Sequence, residues 1–371
     1  MSIYDIALSM IHELGIARIH HLLEWFGTAE NVFKTTKEEL VERLNFPHES
    51  ASYIYNQLNR RDLLTQAQAE LDFLARNNAR AIAIGDEEYP FRLKECCDAP
   101  NVIFVKGDLD LNSEHILSVV GTRRYTKYGE EFCENMMQEL AELVPDAVIV
   151  SGLAYGIDIK AEIAAHKNGL RTASVIANNL REVSPTSHIN HLRDFIGGGG
   201  AVITEMSTLE KTIQSSFLRR NRIIAGISCG TLVIESHSRG GALSTARCAL
   251  EYNREVMAVP GRATDAASEG CNELIRKESA RLVTSAEQIV ETLGWRHSKK
   301  SARKDEIKTF SIELSPDERL IYDLIGVTTS TPVDLIVSNS GMPIQAVSVI
   351  LVSLEIKNLV KPIAGNQYIR C

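Results

Sequence analysis

The sequence predicts an α/β protein: a doubly wound, mainly parallel, Rossmann-like sheet flanked by a small amino-terminal helical domain and a carboxy-terminal winged helix. Three observations carry this. From Ile116 onward, ILSVVG, AVIVSG, TASVIA, AVITE, TLVIES and EVMAVP are short runs rich in Val and Ile. Helical stretches of about ten to fifteen residues separate most of them, the alternation expected of βαβ units. Ahead of them, Ile11, Leu14, Ile19, Leu22 and Leu23 recur at helical spacing. Behind them, three helical segments are followed by two short strands, a winged-helix layout.

In chain order, residues 1–75 read as a helical domain and 76–295 as an extended Rossmann-like domain, entered through strand-like segments at Ala81–Ile84 and Val102–Val105. Residues 296–311 read as a linker. Between Arg296 and Lys308 there are six Lys/Arg against two acids with no apolar pattern, the mark of a basic tether. Residues 312–371 read as the winged helix, with helices near 315–325, 332–338 and 343–357. Ser340-Gly341 turns between the second and third, and strands Leu359–Ile363 and Gln367–Arg370 meet around Gly365-Asn366.

Composition narrows the class of function. The net charge is −8, whereas proteins that coat nucleic acid draw affinity from Lys and Arg. A DNA-binding reading therefore requires the cations to gather on one surface. Apolar runs of about six residues fall far short of the ~20 that cross a bilayer, so no membrane role is expected. The amino terminus has acids where a secretory signal has cations. The seven cysteines are scattered without CxxC spacing, which indicates reduced thiols, no zinc site and a cytoplasmic location.

Three segments at strand ends carry candidate chemistry. Gly121-Thr122-Arg123-Arg124 follows ILSVVG and precedes a helix. There, backbone N–H groups and a helix N-terminus favour an anion, and Arg123 offers a planar phosphate fork. The alternative is a tight βα turn with solvated arginines. Ser151-Gly152-Leu153-Ala154-Tyr155-Gly156-Ile157-Asp158 follows the next strand; Ser151 and Gly152 fit a second wall of the same pocket, and Asp158 reads as a helix-start acid. The strongest segment is Gln214-Ser215-Ser216-Phe217-Leu218-Arg219-Arg220-Asn221-Arg222. Ser216 is placed to cap the helix, with Arg219 and Arg222 on one face. An aromatic ahead of three arginines is what single-stranded DNA requires: a stacking platform beside cations that track the backbone. The alternative makes Phe217 a core anchor. A fourth segment, Ser236 to Ala242, places Arg239 and Gly240 at another strand's end, with Glu235 as a hydrogen-bonding residue of the pocket. No Ser/His/Asp or Cys/His arrangement stands out, and His188 and His191 read as structural.

In order, the blocks YPFRLKECCDAPNVIFVKGD, VVGTRRYTKYG, VSGLAYGIDIKAEIAA, FLRRNRIIAGIS, TLVIES, GGALSTARCALEYNREVMAVPG and GCNELIR resemble the DNA-processing protein A (DprA/Smf) family over about residues 70–295. The resemblance implies a homodimer that binds single-stranded DNA, protects incoming strands in natural transformation, helps load a RecA-type recombinase, and acts neither as an enzyme nor with a cofactor. It also implies that Arg123 contacts phosphate and Phe217 stacks on bases. Arg219, Arg220 and Arg222, with Asn221 among them, correspond to the basic helix start. The chain departs from the pattern at Glu162, where the block after GID usually ends in His. It departs again at Gln214, where some members carry Lys, and at Gly15-Ile16-Ala17, which lacks the second glycine of a GxG hairpin.

Two rival readings use the same pocket. Phosphoribohydrolase-like enzymes of this fold carry PGGxGTxxE with a catalytic Glu. The corresponding stretch Arg239 to Arg247 has no acid there, which argues against that enzyme. A nucleotide-binding sensor is the other; the aromatic beside several arginines favours a polymer. The third helix of the winged helix, PIQAVSVILVSLEIK, carries no cation before Lys357, so that domain is not expected to read DNA.

Overall fold

Buried parallel strands read as continuous apolar runs because both faces are covered, and the runs from Ile116 onward fold accordingly. The computed structural model describes residues 1–371 except 45–46, 296–313, 327–329, 358, 364–366 and 371. The proposed linker at 296–311 and the turn at 365–366 thus lie outside the described residues. The chain forms two compact units, Met1–Ser301 and Ala302–Cys371.

The first unit opens with helices α1 (Ile3–Ser9), α2 (Gly15–Phe26), α3 (Ala29–Lys34), α4 (Lys37–Leu44), α5 (His48–Leu58) and α6 (Leu63–Arg76). Strands β1 (Ala79–Ala83) and β2 (Val102–Gly107), with α7 (Phe91–Lys94) between them, lead into the α/β alternation. It runs β3 (Ile116–Val120), α8 (Lys127–Leu143), β4 (Val148–Ser151), α9 (Ile157–Lys167), β5 (Arg171–Val175), α10 (Ile189–Gly197) and β6 (Ala201–Thr204). It continues through α11 (Gln214–Ile227), β7 (Gly230–Val233), α12 (Ala242–Glu251), β8 (Glu255–Ala258), α13 (Glu269–Arg276), β9 (Arg281–Leu282) and α14 (Ala286–Thr292).

The sheet has the order β1-β2-β6-β5-β4-β3-β7-β8-β9. From β6 to β9 every pairing is parallel, whereas β1–β2 and β2–β6 are antiparallel. Residues of α8, α9 and α14 build the core on one face and those of α7, α11, α12 and α13 the core on the other, so the sheet is doubly wound. Chain direction reverses between β3 and β7: one leads outward through α8 to β4, the other through α12 to β8. Ligands of such sheets lie beyond the carboxyl ends of the strands at this reversal.

The amino-terminal helices share a core with Ala83, Val102 and Phe104 of β1 and β2. Ile11, Leu14, Ile19 and Leu22 are buried in it. Glu70, buried on α6, accepts the Thr208 N–H at 2.9 Å and its hydroxyl at 2.5 Å. These helices therefore belong to the first compact unit.

The second unit holds α15 (Pro316–Leu324), β10 (Thr331–Pro332), α16 (Val333–Ser340), α17 (Ile344–Ile356), β11 (Val360–Ile363) and β12 (Gln367–Arg370). Its sheet order is β10-β12-β11 around a core of Ile321, Ile336, Val347, Leu351 and Leu354. Gly341 ends α16 in the left-handed region at φ +66°, which favours glycine. This is a winged helix, with the two-residue β10 absent from the sequence reading.

Candidate nucleic-acid interface

The reversal between β3 and β7 holds a cleft of about 220 Å³, lined by Gly121, Thr122, Arg123, Phe217, Arg220, Asn221 and Gly240 among others. A second cleft of about 490 Å³ adjoins it and shares Arg123, Phe217 and Arg220, adding Gly152, Tyr155 and Asn178. Three segments far apart in sequence thus meet because each follows a strand's carboxyl end or begins the helix packed over it.

Close approach of the loops fixes their glycines. Gly156 has φ +95°, and a Cβ there would sit 2.1 Å from the Thr122 carbonyl oxygen. The Ile157 N–H then donates to that same oxygen at 3.1 Å, tying the second loop to the first. At Gly152 a Cβ would lie 2.5 Å from both Arg220 Nη1 and Asp158 Oδ2.

The phosphate cradle expected at Gly121 is already filled by the protein. The Gly121 N–H donates to Asp158 Oδ1 at 3.3 Å and the Thr122 N–H to the Glu235 carbonyl at 2.7 Å. Thr126 caps α8, its hydroxyl oxygen accepting the Gly129 N–H at 3.3 Å, and the Glu235 carboxylate holds that cap by accepting the Thr126 N–H at 2.9 Å and its hydroxyl at 2.5 Å. Glu235 thus supports the helix cap and does not line the clefts. Side-chain cations and the N-terminus of α12, where Gly240, Gly241 and Ala242 line the first cleft, are what face an anion.

The basic helix start divides. Phe217 is half-buried and lines both clefts, with the Arg123 guanidinium carbon 5.8 Å from its ring centroid. Arg123 itself is exposed. Arg220 is buried under the clefts, where its Nη1 donates to the Gly152 carbonyl at 2.5 Å and to the Val175 carbonyl. Asn221 is oriented by donating to Ser244 Oγ at 2.7 Å and accepting from Arg220 Nε at 3.2 Å. Arg219 and Arg222 share a helix face, as their spacing implies, but that face turns away from the clefts. Arg222 is buried and paired with Glu205, and Arg219 meets Glu205 at 3.0 Å and Glu210 at 3.4 Å. These carboxylates receive both guanidinium groups; Arg222 is buried among them, while Arg219 stays partly exposed.

Three further expectations are corrected. Ser151 is fully buried and donates its hydroxyl to the Val119 carbonyl at 2.6 Å, so it fastens β4 to β3 instead of lining the pocket. Ser216 is not the cap but lies in the first turn of α11, accepting the Ile213 N–H at 3.3 Å. Arg239 is exposed on the turn before Gly240 and lines neither cleft. His188 is structural, its Nδ1–H donating to the Leu153 carbonyl at 2.9 Å. Tyr155 and Asn178 were missed as lining residues. The signal was available: Asn178 follows TASVIA as the other candidates follow their strands, and Tyr155 is an aromatic inside a glycine-flanked loop.

Beneath the clefts, α9 carries two buried acids one turn apart. Burial pushes Asp158 up to about 6, against the pull of the Arg220 charge, and Glu162 up to about 8, against the Ser174 hydroxyl that donates to it at 2.6 Å. Between its ordinary 4.5 and about 8, folded Glu162 holds a proton that the unfolded chain has lost. Its contribution to stability is therefore complete below about pH 4.5 and lost as pH rises through 8. Glu162→Gln removes this dependence. In urea melts, the stability difference is expected to move steadily in favour of Gln from pH 5 to 8; parallel curves across that range would refute a protonated Glu162.

The chain is 40% identical over 210 residues to the DNA processing protein DprA of Streptococcus pneumoniae, covering 57% of this chain and 73% of that protein. It is 35% identical over 315 residues to protein Smf of Escherichia coli, covering 82% and 80%. Among solved structures, DNA processing protein A from S. pneumoniae superposes with a TM-score of 0.56 at 32% identity, over 74% of this chain and 96% of that one. The Helicobacter pylori protein does so at 0.52 and 27%, over 58% and 95%. The DprA winged helix domain matches residues 310–366. With residues 80–294 matching throughout, the chain belongs to the DNA recombination-mediator protein A family.

Proposed function

We propose that this protein binds single-stranded DNA without sequence preference along the two joined clefts. The observation that carries the reading is the exposed Arg123 guanidinium beside the half-buried Phe217 ring at the β3–β7 reversal, a cation and a stacking platform side by side. The Helicobacter pylori relative is described for its single-stranded-DNA binding mode. Because Asp158 and Glu235 already occupy the Gly121 turn and the start of α8, the pocket lacks the open pyrophosphate cradle a nucleotide sensor would use. The Arg239 to Arg247 stretch still lacks the acid of the phosphoribohydrolase-like reading.

The family points to a cytoplasmic homodimer that holds incoming strands during natural transformation and passes them to a RecA-type recombinase. Two clefts in one dimer would add avidity and offset the net charge of −8. Light scattering at tens of micromolar is expected to show a dimer, and a strict monomer would reject this assembly. The recombinase role is read from the lag of filament growth on strands the protein already holds, and an unchanged lag would reject it.

The winged helix takes no part in holding DNA. Of its four cations, Lys357 pairs with Glu318 at 2.6 Å and Arg370 with Asp323 at 3.6 Å. The exposed face of α17 presents Ile344, Val349 and Val352. Little counterion release is available there. A fragment beginning near Ser311 is expected to show no DNA binding at physiological salt; micromolar binding would reverse this assignment.

Arg123→Ala is expected to weaken single-stranded-DNA binding and reduce the slope of log affinity against log salt by about 0.7. A folded variant with unchanged affinity and slope would exclude the Arg123 contact.

A further inference from the structure

Among the described residues of the six amino-terminal helices, Glu70 on α6 is the sole buried charged side chain, 1% exposed. A carboxylate in that setting costs free energy unless donors meet it, and an apolar residue would fill the space without the cost. The donors come from outside the helical module: the Thr208 N–H and hydroxyl both reach the single oxygen Oε2. Thr208 lies on the loop between β6 and α11, six residues ahead of Gln214, where the helix carrying Phe217 begins.

Phe73, three residues further along α6, makes a second attachment. The Arg181 guanidinium carbon stands 5.2 Å from its ring centroid, a cation–π contact from the β5–α10 loop. Leu180 of the same loop packs against the core of the amino-terminal helices. The two loops are in turn fastened to one another. Asn178 donates to Thr212 Oγ1 at 2.9 Å, Asn179 to the Glu210 carbonyl at 3.0 Å, and the Thr204 hydroxyl to the Asn178 carbonyl at 2.8 Å. Asn178, Gln214 and Phe217 all line the larger cleft. Helix α6 thus grips both of the loops that bring these residues to it.

We propose that the amino-terminal helices serve DNA binding without touching the strand, with Glu70 as a positioning residue that sets where α11 begins and hence where the Phe217 ring stands. The inference rests on the single-stranded-DNA reading above. Phe217 lies in the first turn of α11, so its ring moves with whatever fixes the loop before it. Two donors on one acceptor fix that loop in both place and orientation, which non-directional apolar contact does not. Without those bonds the strand would have to order the loop as it binds, at a cost in affinity.

The test is a double-mutant cycle in the full chain, read as affinity for a thymidine oligonucleotide. Phe217→Ala is expected to weaken binding by at least about fivefold, the lower end of what one stacked base supplies. Glu70→Ala is expected to cost about twofold or more in the wild-type background, the lower end of coupling within one network. In Phe217→Ala it costs nothing further, because it acts through the ring. Glu70→Gln restores wild-type affinity, since its amide oxygen accepts from Thr208 as Oε2 does. The salt slope is unchanged in both Glu70 variants, as neither removes a cation. Should Glu70→Ala fail to fold, Thr208→Val, which deletes one donor, takes its place in the cycle with the same pattern expected. Unchanged affinity in Glu70→Ala, an equal loss with and without the Phe217 ring, or a loss that Gln does not rescue would overturn the positioning role. Wild type that binds no single strand, or binding indifferent to Phe217→Ala, would instead overturn the single-stranded-DNA reading, and this inference with it.

Discussion

The arrangement of the clefts depends on one buried charge. Arg220 is almost inaccessible, and burial disfavours its cationic form. Its guanidinium is retained by the carbonyls of Gly152 and Val175, at the carboxyl ends of β4 and β5, and by the nearby Asp158 charge at the start of α9. Two strands and two helices are thereby held to one point. Removing one partner of such a buried network costs roughly 3–5 kcal/mol, because the other is left uncompensated. Gly152 has to be glycine for the network to close, and the loop beyond it then carries Tyr155 to the cleft wall.

A second consequence concerns where negative charge is tolerated. In nucleotide-binding sheets the loop after the first strand and the helix behind it receive a phosphate. Here Asp158 and Glu235 take those positions, and Glu205 takes the arginines of the α11 face that turns away from the clefts. These acids contribute to the net charge of −8 while serving as internal partners. What is left facing outward at the clefts is Arg123, the N-terminus of α12 and two aromatic rings. That set suits a polymer gripped by stacking with few phosphate contacts, and it suits a diphosphate poorly.

Much of this was legible in the residues. Strand runs of Val and Ile separated by helix-length segments specify a covered parallel sheet, and its topology then dictates that GTR, SGL and FLRRN converge. The antiparallel β1 and β2 edge was legible only as strands, since direction depends on partners distant in sequence. Side-chain destination was not legible. Spacing put Arg219 and Arg222 on one helix face, but whether that face meets phosphate or Glu205 depends on the packing of β6. Ser151 failed for a similar reason: alternation along β4 and the proximity of Val119 send its hydroxyl inward. Arg220 reads as a third surface cation in FLRRNR and is instead buried beneath the clefts.

Clefts built this way should hold an unstacked strand and disfavour a duplex. Affinity for single-stranded and double-stranded DNA of equal length, measured at two salt concentrations, addresses that directly. The geometry predicts tighter binding of the single strand at both, with a shallow salt dependence of only a few counterions, about 0.7 per phosphate contact. Equal or tighter binding of duplex, or affinity that vanishes with salt along a slope requiring many cations, would contradict it.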